Sequence, residues 1–580
     1  MNSFLKSYLA ALLAAFTLIG IGFLFLIAAG ASGKDNSIAN ESILRIQLNG
    51  EMRDFVPRSD FSVFGELFGT TYLSMEEIVF NIEKATSDDR IQSIYLELGT
   101  FSAGTPQLKE IREALKQFKA EGKEVYAYAS IMTRQSYYLG SAADQLWLSP
   151  TGVMEWTGLA SSYTYMKGAF DKLGVKINLI RGSDNAYKSA GEPFIAETMS
   201  DANREQISSY LNSAWQSTLA DLEADGRVTA AFLDAIADSG ILIRPEEALS
   251  YGMVDELLYE DEMMERLNWV NDDDNNFVSL RRYNRELNQD RTSIDRVAVI
   301  YAEGNVVLGK SDMENMGSST IVEALRAVRN EDRIKAVVLR VNSPGGVSLA
   351  GDAMWREVQL LREVKPVVVS MGNVAASAGY QIAAPADTIM AYRQTITGSI
   401  GVFMMFPTAS KLMREELGIS LQTVKTNEFG DFGSIDRELT PAEYNELQQN
   451  VDHFYDHFKS QVAEGRALDR AFVDSIARGR VWTGEQAMGN GLVDLEGGLL
   501  DAIRVAAEMG GIDGTPGVSS YPILEDPITE LLNSMSAEQA ESEMESQLGP
   551  LAPVYQEWKE IQAMIGMQKR LVEYNMNQPL

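Results

Sequence analysis

Residues 332–346 read DRIKAVVLRVNSPGG. From Ala336 to Val341 the run is apolar and β-branched apart from Arg340, and it ends at Asn-Ser-Pro-Gly-Gly. An apolar run bounded by turn residues predicts a buried strand that stops at a glycine turn. The surroundings agree. Val297-Ala298-Val299-Ile300-Tyr301 predicts another strand, residues 321–329 carry helical spacing, residues 349–364 predict a helix and residues 367–370 a third strand. Strands separated by helices predict a parallel α/β sheet.

The chain also repeats itself. DRIQSIYL at residues 89–96 resembles DRIKAVVL at 332–339, YYLGSAAD ending at Asp144 resembles GYQIAAPAD ending at Asp387, and EALSYGMVD at 247–255 resembles QAMGNGLVD at 486–494. A constant offset of about 240 residues is the size of a domain and predicts a tandem duplication. The expected organisation is a cytoplasmic stub and anchor over 1–35, a first repeat over 36–285, a second over 286–515 and a helical extension over 516–580. The run DDDNN from Asp272 and the polar sequence to Asp295 read as the linker between repeats.

Composition removes several functions. The net charge is −32, from 50 basic and 82 acidic residues, which opposes nucleic acid and any charge-driven hold on anionic lipid. With no cysteine there is no thiol catalysis, disulfide or cysteine-bound zinc. Residues 7–33 (SYLAALLAAFTLIGIGFLFLIAAGASG) are uncharged, and a run of about 27 residues is long enough to cross a bilayer. Lys6 precedes it and mostly acidic sequence follows, so the positive-inside rule leaves the N-terminus in the cytoplasm and the body outside it. The alternative is a cleaved signal peptide.

Ser377 lies in SMGNVAASAGY (370–380), after a strand and at an expected helix start. A hydroxyl there would stand at the carboxyl end of the sheet, where open α/β folds bind ligands. The NSPGG turn, some thirty residues earlier, has glycines that let backbone N–H groups face a ligand, as an oxyanion cradle requires. NSPGG, then a strand, then Ala375-Ala376-Ser377, then TGSIG (397–401) together resemble the signal peptide peptidase A (SppA) family of serine peptidases. Their fold is of the Clp protease/crotonase type. The apolar N-terminus and two halves are similar to the long bacterial form, and the likeness spans about residues 42–511. Ala378 departs from the family, which usually has glycine there.

A serine nucleophile needs a base. The only histidines, His453 and His457, are four apart on one predicted helix face and read as polar surface residues rather than as a base or metal site. NAYKSAGEPF (185–194) resembles the family's base-bearing motif, with Lys188 as the lysine. Registered by the repeat, Lys188 falls opposite Asp431, Ser377 opposite Arg134 or Gln135, and NSPGG opposite GTFSA. Neither half then holds a complete site, so one site shared between halves is expected. The resemblance implies Ser377 as nucleophile, Lys188 as base and Ser399 orienting the lysine, with the N–H groups of Gly345, Gly346 and Ala378 forming the oxyanion hole. It also implies signal-peptide substrates, a homotetramer, and an inner-membrane enzyme with its catalytic part in the periplasm. No cofactor or metal is called for. The alternatives are a crotonase-type acyl-CoA enzyme and a non-catalytic periplasmic scaffold.

Overall fold

A computed structural model describes residues 38–56, 72–268, 277–287 and 295–522. The expected membrane anchor and C-terminal extension fall almost wholly outside these residues. Among the described residues no helix is long and apolar enough to cross a membrane.

The chain builds two eight-stranded sheets of like topology. In the first, strands Ser42–Arg53, Ile91–Ser102, Glu124–Met132 and Gln145–Glu155 lie side by side and parallel. In the second, Arg296–Glu303, Ile334–Ser343, Val367–Ala376 and Ile396–Gly398 follow the same order. The helices Ser318–Asn330 and Ser348–Arg362 lie between strands, where the sequence expects them. This is the duplicated, Clp protease-like α/β architecture.

The strand stretches are apolar on both faces for a reason that appears only on folding. Ala298, Ile300, Val337, Leu339, Val367 and Val369 join the second half's own core. Their alternates Val297, Val299, Ala336, Val338 and Val368 join the first half's Ile78, Ile111 and Phe118 and the helix Leu499–Met509 in one continuous core. Strand side chains alternate faces, so each face of the second sheet has its own apolar partner. Burying each such valine contributes about 1.5–3 kcal/mol. The two halves are therefore fused by packing.

A buried ionic cluster crosses the same interface. Arg340, on the strand that leads into the glycine turn, pairs with Asp54 at 2.8 Å and with Glu110 of the first half, and donates to Ser370 Oγ at 2.8 Å. All three charged residues are buried. Without Arg340 two carboxylates would be stranded in low dielectric.

One sequence expectation changes. Part of the stretch read as linker is structured: Phe277–Ser279 adds a parallel strand beside Ile43–Arg45, and Leu280–Leu287 is a helix that buries Tyr283. Its few apolar residues suffice because an open strand edge supplies partners. Thr133 stands at the N-cap of helix Arg134–Gly140 as Ser377 stands at that of Ala378–Ala383.

Candidate active site

Three strand ends meet around Ser377. Strand Ile396–Gly398 runs parallel to Val374–Ala376 and antiparallel to Val481–Thr483. The N–H of Ser377 donates to Gly398 O at 2.9 Å, and that of Ser399 to Arg480 O at 2.7 Å. Ser377 and Ser399 are thus the first residues past two adjacent strands. Both have positive φ, 55° and 51°. For Ser377, with ψ −122°, this is a conformation that glycine takes readily and other residues hold only under constraint. Thr133, at the N-cap of the corresponding helix in the first half, has an ordinary φ of −77°. The unusual backbone is confined to the half that carries the serine.

The NSPGG turn lies against this bend. Gly345 has φ 99°, and a Cβ there would come within 2.6 Å of Ser377 Cβ and 2.9 Å of Ala378 N. A Cβ on Gly346 would meet Val306 O at 2.2 Å. Both glycines are required by close approach. The N–H of Gly345 is occupied, donating to Ser343 Oγ at 3.1 Å. Among the described residues the N–H groups of Gly346 and Ala378 carry no hydrogen bond to the protein. Ala378 opens its helix, where N–H groups lack intrahelical acceptors.

Lys188 arrives from the first half. Strand Lys176–Arg181 belongs to neither large sheet and pairs antiparallel with Phe403–Thr408 of the second half. The loop that follows is pinned across the halves: the N–H of Gly182 and Asn185 Nδ2 both donate to Val402 O, and the N–H of Tyr187 donates to Arg478 O. Gly479, at φ 73°, lets the chain pass, since a Cβ there would lie 2.5 Å from Lys188 Cβ. The amine sits 2.9 Å from Ser377 Oγ, 2.8 Å from Ser399 O and 3.0 Å from Ser399 Oγ. Lys188 is 4 % exposed, and among the described residues no carboxylate is within ion-pair range of its amine. Burial alone pulls its pKa down to about 7.

That geometry assigns the protons. A neutral amine has two N–H donors and one lone pair. Ser399 O can only accept, and Ser399 Oγ takes the second donor. The lone pair is left for the Ser377 hydroxyl proton. The arrangement suits proton abstraction from Ser377 and attack by its oxygen.

Glu192, which might have paired with Lys188, is turned away: it accepts from Ser200 Oγ at 2.6 Å and lies 3.7 Å from Arg181. The histidines stand apart, with His457 Nε2 2.9 Å from Asp352 on the exposed side of helix Pro441–Gly465. No group of residues suited to a metal occurs among the described residues. Sequence reading missed Gly479, Asn185 and Arg480, because their importance lies in what approaches them and not in their type.

Comparison with known proteins now bears on the chain as a whole. The profile of peptidase family S49 matches residues 117–272 and 359–513, and that of Clp protease matches 288–397. Among similar proteins are Protease 4 of Salmonella typhi, 33 % identical and covering 85 % of this chain and 82 % of that one, and Protease 4 of Haemophilus influenzae, 30 % identical over 93 % and 92 %. The chloroplastic serine protease SPPA of Arabidopsis thaliana is 32 % identical over 81 % of this chain and 69 % of its own.

Proposed function

The chain belongs to peptidase family S49 and is a serine protease of that family, and from this we propose a membrane-anchored endopeptidase that works through a Ser377–Lys188 dyad shared between its two halves. The observation that carries the reading is the buried lysine amine, with no carboxylate partner among the described residues, 2.9 Å from Ser377 Oγ.

Neutral Lys188 takes the Ser377 proton as Oγ bonds to the peptide carbonyl carbon. The N–H groups of Gly346 and Ala378 receive the oxyanion; Gly345 serves by giving room. As the C–N bond breaks, the protonated amine returns its proton to the leaving nitrogen. Water then attacks the acyl ester with Lys188 again as base, and Ser377 regains its proton. Ser399 holds the amine through both its oxygens.

The substrates proposed are cleaved signal peptides and other apolar, unfolded peptides. A site that excludes water to keep an amine neutral favours apolar chain. The uncharged run over residues 7–33 supports anchoring, with the catalytic part on the periplasmic side of a bacterial inner membrane, and the resemblance supports a homotetramer. An acyl-CoA enzyme or a scaffold would need no reactive serine.

The test is mass-spectrometric mapping of a fluorophosphonate on the full chain, with peptide hydrolysis followed against pH. Label is expected on Ser377, with hydrolysis lost in Ser377→Ala and Lys188→Ala. For the parent, kcat/KM is expected to fall about tenfold per pH unit below about pH 7, as the amine protonates. Full hydrolysis by Lys188→Ala, or label on another serine, would refute the dyad.

A further inference from the structure

Beside the lysine loop lies a stack built from both halves. The Arg480 guanidinium packs on two rings, 4.7 Å from the Tyr187 centroid and 4.6 Å from that of Trp482. Glu205 joins it on the outer side, 3.0 Å from Arg480 Nη1, and accepts from Tyr187 Oη at 2.9 Å. Gln206, buried, donates to Tyr187 O at 3.0 Å and accepts from the Val481 N–H at 3.1 Å. Tyr187, Glu205 and Gln206 come from the first half; Arg480, Val481 and Trp482 come from the second. Tyr187 precedes Lys188, and the Arg480 carbonyl holds Ser399, whose two oxygens bind the lysine amine. The other charged groups nearby are Arg478, 6.0 Å from the Tyr187 centroid, and Arg181, which donates to Lys188 O at 3.3 Å.

We propose that Arg480 is a positioning residue: its guanidinium, packed on Tyr187 and Trp482, holds the lysine-bearing loop of the first half on the serine-bearing strand ends of the second and keeps water from the amine. The inference rests on the Ser–Lys reading of the site. A planar cation is suited to the task because its flat faces pack on aromatic rings while its edge reaches a carboxylate; a lysine ammonium has no such faces.

The experiment compares Arg480→Ala and Arg480→Lys with the parent, as full chains, by kcat/KM on an apolar peptide against pH. Loosening the clamp hydrates Lys188 and restores part of its ordinary basicity. In Arg480→Ala the acid limb is therefore expected to move up by about one pH unit, with activity about fivefold lower at pH 7 and recovering in alkali. Arg480→Lys keeps the charge and loses the stacking, so it is expected to shift in the same direction. A limb unmoved in both variants, with activity lower by one factor at every pH, would mean a merely structural residue and overturn the proposal. So would an Arg480→Lys limb identical to the parent's, which would make charge and not stacking the cause. Lys188→Ala, run alongside, separates the two levels: if it still hydrolyses the peptide, the dyad fails, and if it is dead while the Arg480 limbs stay fixed, only the clamp fails.

Discussion

Replacing Lys188 by methionine should change how stability depends on pH, independently of any activity. The amine is buried, and desolvation holds its pKa at about 7 against 10.5 for a free lysine. A gap of that size corresponds to about 5 kcal/mol, at about 1.4 kcal/mol per pH unit. The sign follows from proton counting. Below pH 7 the amine is protonated in both folded and unfolded chains, and the folded state bears the full cost of burying the charge. Between about 7 and 10.5 the unfolded chain holds one more proton than the folded one, so stability rises with pH. Above that window both states are neutral and the cost is gone. Methionine fills similar space with nothing to titrate. Urea unfolding of the parent and of Lys188→Met should thus show the parent gaining about 2 kcal/mol on the variant between pH 7 and 9. Other titrating groups are common to both chains and cancel. The variant should be the more stable protein at neutral pH, though inactive. Parallel stability curves across this window would refute the argument, because they would mean that the amine is solvated or charged in the folded chain.

Two further outcomes follow from the geometry. Ser377 holds φ 55° and ψ −122°, so Ser377→Gly should be about 1 kcal/mol more stable than Ser377→Ala, the reverse of the usual order, by chemical unfolding; equal stabilities would mean the bend is unstrained. Arg340→Met leaves Asp54 and Glu110 buried without their cation and should cost about 3 kcal/mol, read as a fall in unfolding midpoint; a change within about 0.5 kcal/mol would show that the halves do not depend on this cluster.

Much of the fold was legible in the sequence because its signals are short-ranged. The run from Ala336 to Val341 and the glycines behind it specify a strand and a turn wherever they occur. The repeat doubled that information and showed that Lys188 and Ser377 belong to different copies. The linker was misread because Phe277 and Val278 are a short signal that only an available sheet edge turns into a strand.

The site itself was readable as a set of residues, but its chemistry was not. Gly345, Gly346 and Ala378 look alike on paper as N–H donors, yet Ser343 Oγ already occupies the first. Glu192 stands four residues after Lys188 and would keep the amine charged if the two met; the fold turns it toward Ser200 and Arg181 instead. Arg480 gave no sequence signal, since an arginine between ordinary neighbours carries no mark of the rings that will flank it.

By itself the sequence determined the order of strands and turns, and which hydroxyl and which amine are available. Those follow from local backbone sterics and from the spacing of apolar side chains. Tertiary structure alone decided that the amine is buried, meets no carboxylate among the described residues and lies 2.9 Å from the hydroxyl. Desolvation is a property of everything packed around a group, and the two atoms lie 189 residues apart in the chain, so no stretch of either neighbourhood contains it.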